Sequence, residues 1–596
     1  MTESSPLTLD IAGDHLGWPD VEAILAPKGA GAAVFADLVR GKIGRSLDAM
    51  PDARGIRLGV LMADADAATS EPPLAIVAEF AKPVSEDTLR ELHRLAWNFS
   101  HAPTLITIEP TILKVWTCCE APDPSRDVAT YVVQNVASDA MSPRGSDLLE
   151  AQAARALHWI NLVSGQFFLA HAARFHRDGR ADQMLLGNLR HIRSVLADQG
   201  LVDDDICHDL LARIIFVQFL FDRKDQDGKA ALTPATLQRL HKEGVLTDAH
   251  GSFASILSSY NDTYQLFDWL NTKFNGDLFP GKGDTNQARA VGWATEKDVV
   301  RPAHLASLAE FIRGDVDLGS RQMSLWPQYA FDVIPLEFIS SIYETFVTER
   351  AAKDGIFYTP PYLVDFILDQ VLPWNETEWD LKIIDPACGS GIFLVKAFQR
   401  LVHRWKLANP GDTVRAETLR RLLERNIFGV DKDQHAVRVA CFSLYLAMCD
   451  EIEPRHYWTQ VTFPPMRGRR LICSDFFTEG QTGFDTATDS GSYDLVLGNA
   501  PWGDGVITED AKVWAKSGRG WSIPNKDIGG LFLAKGSDLA APSGRVAMIQ
   551  SANSLLFNIS PKAAGFREQI FGRRRVEAIF NLSALRFKVF RRKTHT

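Results

Sequence analysis

The chain is poor in cysteine, with seven thinly spread among 596 residues. An odd number at such spacing makes no disulfide framework, and Cys118-Cys119 has no second pair at metal-ligand distance, so no structural metal is expected. Long apolar runs are also missing: none approaches the roughly eighteen residues that a membrane-spanning helix needs. Met1 to Asp10 lacks the basic-then-apolar order of a secretory signal. Internal repeats and low-complexity tracts are absent too. These absences predict a cytoplasmic protein with no membrane partner.

What is present is ordinary globular material, 46% apolar and 23% charged. At this length the chain exceeds what one hydrophobic core organises, which predicts two to four domains. The net charge of −10 argues against a nucleic-acid partner only until its distribution is read. From Ser560 to Thr596 ten Lys/Arg face two Glu, a local +8, and the preceding residues carry −18. Such a tail can follow phosphates or be a solvated basic face, and by itself it does not choose.

The pattern divides the chain in three. Residues 1–125 contain the runs RLGVLMAD, LAIVAEF, TLITIEP and LKVWTCC around the amphipathic EDTLRELHRLAWNF, predicting a small α/β module. After a Pro-, Ser- and Asp-rich connector, residues 126–345 carry apolar side chains at helical spacing, as in LLARIIFVQFLFDR. In residues 346–596 short apolar runs alternate with helical segments: LKIIDP, NIFGVD, RRLICSD, YDLVLGN, GRVAMIQ and RVEAIFNL. That alternation predicts a doubly wound, Rossmann-like parallel sheet with ligands at the carboxyl ends of its strands.

The residues at those ends carry the chemistry. The first run closes in Asp385-Pro386-Ala-Cys-Gly389-Ser-Gly391, where two glycines let the backbone turn sharply at the start of a helix. The dinucleotide fingerprint fits poorly, because the next strand-end acid, Asp431, lies 40 residues beyond Gly391 rather than about 20. The third run closes with Asp475-Phe476 and the fourth with Asn499-Ala500-Pro501-Trp502.

In this order, FYTP (Phe357, Tyr358, Thr359, Pro360), DPACGSG, GVD, SDFF and NAPW resemble the adenine-specific (amino-group) DNA methyltransferases. Having FYTP first resembles the gamma arrangement of modification subunits in restriction-modification and phage-defence systems. The resemblance runs from about Glu337 to the C-terminus and extends to the helical region before it. It implies S-adenosyl-L-methionine as cofactor and double-stranded DNA as substrate. Asp385, Pro386, Gly389 and Gly391 would line the methionine side, Asp431 would hold the ribose, Asp475 and Phe476 would meet the adenine, and Phe357, Tyr358 and Thr359 would close over the methionine end. A target adenine must leave the stack to be methylated. Asn499 and the Ala500 carbonyl could accept its amino hydrogens, Pro501 would shape the turn, and Trp502 offers a stacking face. Catalysis would then be largely positioning, with no metal and no strong general base.

The sequence departs from the family pattern twice. Asn-Pro-Pro-aromatic is usual, and here Ala500 replaces the first proline, which keeps the carbonyl but removes a fixed φ. A catalytically silent DNA- or cofactor-binding subunit is therefore a second reading. The family fold also has a seventh strand and usually a following recognition domain, and no apolar run after RVEAIFNL supplies them. The expectation is a core completed by a specificity or C-terminal subunit, a split gene or a truncated product. A related RNA or protein-glutamine methyltransferase is a third reading, disfavoured by FYTP and the helical region. In the N-terminal module Asp64, Asp66, Glu79 and Lys82 are candidate nuclease residues. Glu79 and Lys82 are three apart and would point to opposite strand faces, so a scaffold or degenerate nuclease-like module is the alternative.

Overall fold

The computed structural model describes the chain apart from residues 1–5, 65, 67, 124, 135–147, 150, 226, 275–285, 314–328, 337–358, 503–505, 523–526 and 586–596. Two sheets organise it. The first contains β1 (Arg57–Leu61), β2 (Ala75–Glu79), β3 (Thr104–Glu109), β4 (Ile112–Thr117), β5 (Ala129–Gln134) and β6 (Leu148–Leu149), paired in sequence order. Only β2 and β3 pair in parallel, and the helix Glu86–Phe99 forms their crossover. Ser85 caps that helix by accepting from the Thr88 amide, and Asp52 in turn accepts from Ser85. Both faces are covered: Val60, Ile76, Ala78 and Trp116 join one core cluster, while Leu61, Val77, Ile106 and Val115 join another. Burial on both sides explains why these strands read as continuous apolar runs.

The expected boundary at residue 125 falls too early. β5 pairs with β4 and β6 with β5, so the sheet continues into the stretch read as a connector. Tyr131 points into the core and Val132 outward, a period-two signal too short to stand out among Pro, Ser and Asp.

The helical region includes Ala181–Asp198, Asp204–Asp222, Tyr260–Phe274 and Pro302–Arg313. It does not form a separate core, because its buried side chains are continuous with one face of the second sheet. Phe463 is the junction, stacked on Phe274 at 5.1 Å and on Tyr445 at 4.2 Å between ring centroids.

The second sheet is the expected doubly wound one. It contains β7 (Ile383–Asp385), β8 (Ile427–Asp431), β9 (Leu471–Cys473), β10 (Tyr493–Gly498) and β11 (Ala540–Met548), all parallel, in the order β11-β10-β7-β8-β9. Ile383, Leu495 and Leu497 face the helices Ile392–Ala408 and Gln434–Asp450. The alternate residues Ile384, Phe428, Val430 and Val496 face Gly529–Leu539. The strand order reverses between β7 and β10, which is where such sheets open a crevice at their carboxyl edge.

RVEAIFNL does not form the sixth strand expected of it. Residues 575–582 have no strand partner, and Val576, Ile579 and Phe580 are exposed. The preceding helix, Pro561–Phe571, spends its apolar side chains Phe566 and Ile570 on the existing core. Residues 575–582 touch the rest of the chain through side chains alone, Phe580 edge-on to Phe366 at 4.8 Å and Glu577 to Arg545 at 3.3 Å, with no strand to set a register. The residues from Phe587 onward, and Phe357 and Tyr358 of FYTP, lie outside the described residues.

Candidate functional site

The topology brings the strand ends that the sequence singled out to one edge. After β7 the chain turns through Gly389 and Gly391, both at positive φ (51° and 87°), into the helix Ile392–Ala408. The two glycines are needed for different reasons. A Cβ on Gly391 would lie 2.9 Å from Ala440, so the turn must press against the helix Gln434–Asp450. A Cβ on Gly389 would meet nothing within 4 Å, so only its φ demands glycine and the space above it is open.

Asp431, at the end of β8, ties this turn to its neighbours. One carboxylate oxygen accepts from the Gly389 amide at 2.9 Å, the other from the Asp433 amide at 2.8 Å, and its carbonyl accepts from Ser474 at 2.9 Å. Asp385, at the end of β7, accepts from the Ala387 amide at 3.0 Å and lies beneath β10. Gly498 has φ 155°, and a Cβ there would fall 2.4 Å from the Asp385 carboxylate. Glycine at 498 is thus what lets the β10 end approach Asp385. Burial, with the Asp431 charge adding to it, pushes the Asp385 carboxyl up to about 8. Burial also raises that of Asp431. Burial thus disfavours the charged form of both carboxyls.

Immediately after Gly498, Asn499 is fixed from both ends. Its Nδ2 donates to Thr359 Oγ1 at 3.0 Å, and its Oδ1 accepts from Trp502 Nε1 at 3.3 Å. The amide oxygen has a second lone pair for another donor. Thr359 and Pro360 are the described part of FYTP, so the structure brings that part of the element to NAPW. Ala500 is buried, while Pro501 and Trp502 are half-buried.

The adenine-side pair divides. Asp475 is half-buried and accepts from the Phe477 amide at 2.9 Å, capping its own turn. The Phe476 ring is packed in the core, stacked on Phe532 at 5.3 Å and on Phe484 at 6.0 Å. Sequence reasoning missed what holds it there: Lys535, whose fully buried ammonium donates to the Phe476 carbonyl at 2.6 Å and to Glu479 at 2.8 Å and lies over the Phe476 ring. Burial lowers the Lys535 pKa, opposed by Glu479. A lone lysine within an apolar run, GGLFLAKGSDL, was the available signal.

The four N-terminal candidates do not assemble. The β1/β2 register pairs Arg57 with Glu79 and Leu61 with Ala75, so Asp64 and Asp66 follow one end of the hairpin while Glu79 lies at the other. Four residues of strand separate those ends, roughly 13 Å. Glu79 is instead engaged by Arg57 at 2.7 Å and by the Leu9 amide at 3.2 Å, and Lys82 is exposed. Among the described residues no group of three or more His, Cys, Asp or Glu could hold a metal ion.

Residues 425–590 match the family described as Eco57I restriction-modification methylase, a span running from β8 through NAPW to beyond β11. This match, together with the two relatives that follow, bears out the resemblance to adenine-specific DNA methyltransferases. The adenine-specific methyltransferase PglX of Streptomyces coelicolor is 36% identical over 114 residues, 18% of this chain and 9% of that protein. The type II restriction enzyme and methyltransferase RM.Eco57I of Escherichia coli is 26% identical over 157 residues, 20% of this chain and 16% of that protein. The matched parts are thus well under a fifth of those relatives' length. Among solved structures, a DrdV–DNA complex covers 94% of this chain and 52% of its own, at 13% identity and TM-score 0.37. A type I modification methyltransferase subunit from Streptococcus thermophilus covers 66% and 78%, at 14% identity and TM-score 0.37. These structural likenesses are too weak to bear on function. Among the described residues no helix is long and apolar enough to cross a membrane.

Proposed function

We propose that this chain transfers a methyl group from S-adenosyl-L-methionine to the exocyclic amino group of adenine in double-stranded DNA, within a restriction-modification or phage-defence system. The observation that carries this reading is the adjacency of two strand ends. The open turn at Gly389, braced by Asp431, and the Asn499 amide, braced by Thr359 and Trp502, flank the switch between β7 and β10. Asp385 suits the cationic methionine side of the cofactor, Asp431 suits its ribose hydroxyls, and the free space over Gly389 suits its methionine arm. The cofactor supplies an already activated methyl group. The chain's part is to extrude the base, hold its amino nitrogen with the Asn499 oxygen and the Ala500 carbonyl, stack it against Trp502, and exclude water. For the Asn499 oxygen to accept a substrate amino hydrogen, the Trp502 indole must share or release it.

A specificity or C-terminal subunit that reads the target sequence belongs to the same proposal, as does a cytoplasmic setting. The test is transfer of labelled methyl to adenine in duplex DNA, by the chain alone and with the products of neighbouring genes. Asn499→Ala should lower the rate at least about a hundredfold with cofactor affinity unchanged. Cofactor binding with no transfer would instead establish the silent binding subunit that Ala500 suggests, and transfer indifferent to Asn499→Ala would overturn the role given to Asn499.

A further inference from the structure

The loop between β1 and β2 meets the methyltransferase unit at Thr69 and Ser70. The Thr69 hydroxyl is used to capacity. It donates to Asp369 at 2.7 Å and accepts from Trp374 Nε1 at 3.0 Å and from Arg400 at 2.9 Å. The neighbouring Ser70 amide donates to the other Asp369 oxygen at 3.0 Å. The hub is buried: Thr69 is 8% exposed and Arg400 0%. From the same guanidinium, ion pairs reach Asp369 at 2.8 Å and Asp365 at 3.3 Å, and Lys396 holds Asp365 at 2.9 Å.

The two helices joined here are those that begin at the site. Asp365 and Asp369 lie on Pro361–Val371, which starts just after Thr359, the residue that receives the Asn499 amide. Lys396 and Arg400, four apart on one helix face, lie on Ile392–Ala408, which starts at Gly391. Through Thr69 the N-terminal module therefore joins the ion-pair network that ties the helix following Thr359 to the helix following the glycine turn. The network is of the kind in which one missing partner strands several buried polar groups.

We propose that Thr69 is a positioning residue for Asn499, acting through Asp369, the helix Pro361–Val371 and Thr359, so that the N-terminal module sets the order of the methyl-transfer site. This rests on the reading of Asn499 as the receptor for the target base. It assigns the module a task that the scattered Asp64, Asp66 and Glu79 do not.

The test uses the full chain and its Thr69→Val and Thr69→Ser variants, with hydrogen exchange and methyl transfer both measured. Valine keeps the shape and removes the oxygen, while serine keeps the oxygen. For Thr69→Val, amides of residues 361–371 and of the β10 end, 495–499, should exchange about tenfold faster, and kcat should fall about tenfold while KM for S-adenosylmethionine changes far less. Exchange in Asp204–Asp222 should stay as it was, which separates local loosening from misfolding, and Thr69→Ser should restore both readouts. The proposal is overturned if residues 361–371 do not loosen, if they loosen while the β10 end and kcat stay unchanged, or if exchange also rises in Asp204–Asp222. Should the unaltered chain transfer no methyl group, the catalytic reading fails by itself, and the exchange at 495–499 still decides the clamp.

Discussion

The affinity for S-adenosylmethionine should depend on pH, with a sign that the site dictates. Asp385 is buried and beside Asp431, and its carboxyl is pushed up to about 8. Without ligand it holds its proton through neutrality, but facing a sulfonium it is useful only as the anion. Binding therefore expels a proton, and affinity is weakest at low pH. With an apparent value near 8, the anionic fraction rises from about one in thirty at pH 6.5 to about one half at pH 8, so affinity should rise about fifteenfold, or about 1.6 kcal/mol. Folding stability runs the other way for this group. Its carboxyl is raised from 3.8, so the folded state binds the extra proton, and that contribution is present at low pH and is lost as pH rises toward 8. Calorimetric titration between pH 6.5 and 8.5, in buffers of differing ionisation enthalpy, reads both affinity and proton release. Asp385→Asn should flatten the profile. A pH-independent affinity, or an unchanged slope in Asp385→Asn, would refute the reasoning.

Two further outcomes follow from packing. Gly498→Ala would place a Cβ 2.4 Å from the Asp385 carboxylate at a φ of 155°, so the β10 end should shift. The strain is about 2–4 kcal/mol, read as weaker cofactor binding and faster local exchange, with the N-terminal sheet unaffected. In the helical region Arg213 and Glu296 form a fully buried pair, with the guanidinium over Trp293. Arg213→Met alone should cost about 3–5 kcal/mol, read in denaturant unfolding, because it leaves a buried carboxylate unpaired, and adding Glu296→Leu should recover most of it.

How far the sequence could be read depended on the range of the interaction concerned. Asp385, Asp431, Asp475 and Asn499 were legible because each ends a short apolar run, and in a parallel sheet those ends lie on one edge. The four strands of the N-terminal runs were legible because their side chains are mostly apolar, with the polar ones chiefly at the strand ends. β5 was hidden by the polar residues around it, and RVEAIFNL was misread because an apolar run acquires strand structure only where a neighbour offers backbone partners and a face. The Phe476 ring turned inward for a reason no local pattern carries: Phe484, Phe532 and Lys535 approach it from other parts of the chain.

By itself the amino-acid sequence determined the doubly wound sheet, the order of its motifs and the residue types at its strand ends, since these follow from local periodicity and from the turns glycine permits. Only the tertiary structure decided that Thr359 grips Asn499, that Gly498 yields its side-chain space to Asp385, and that Thr69 reaches across more than three hundred residues of sequence to Arg400. Such contacts depend on distances between elements that pack only when the whole chain has folded, so they leave no spacing or periodicity along the chain.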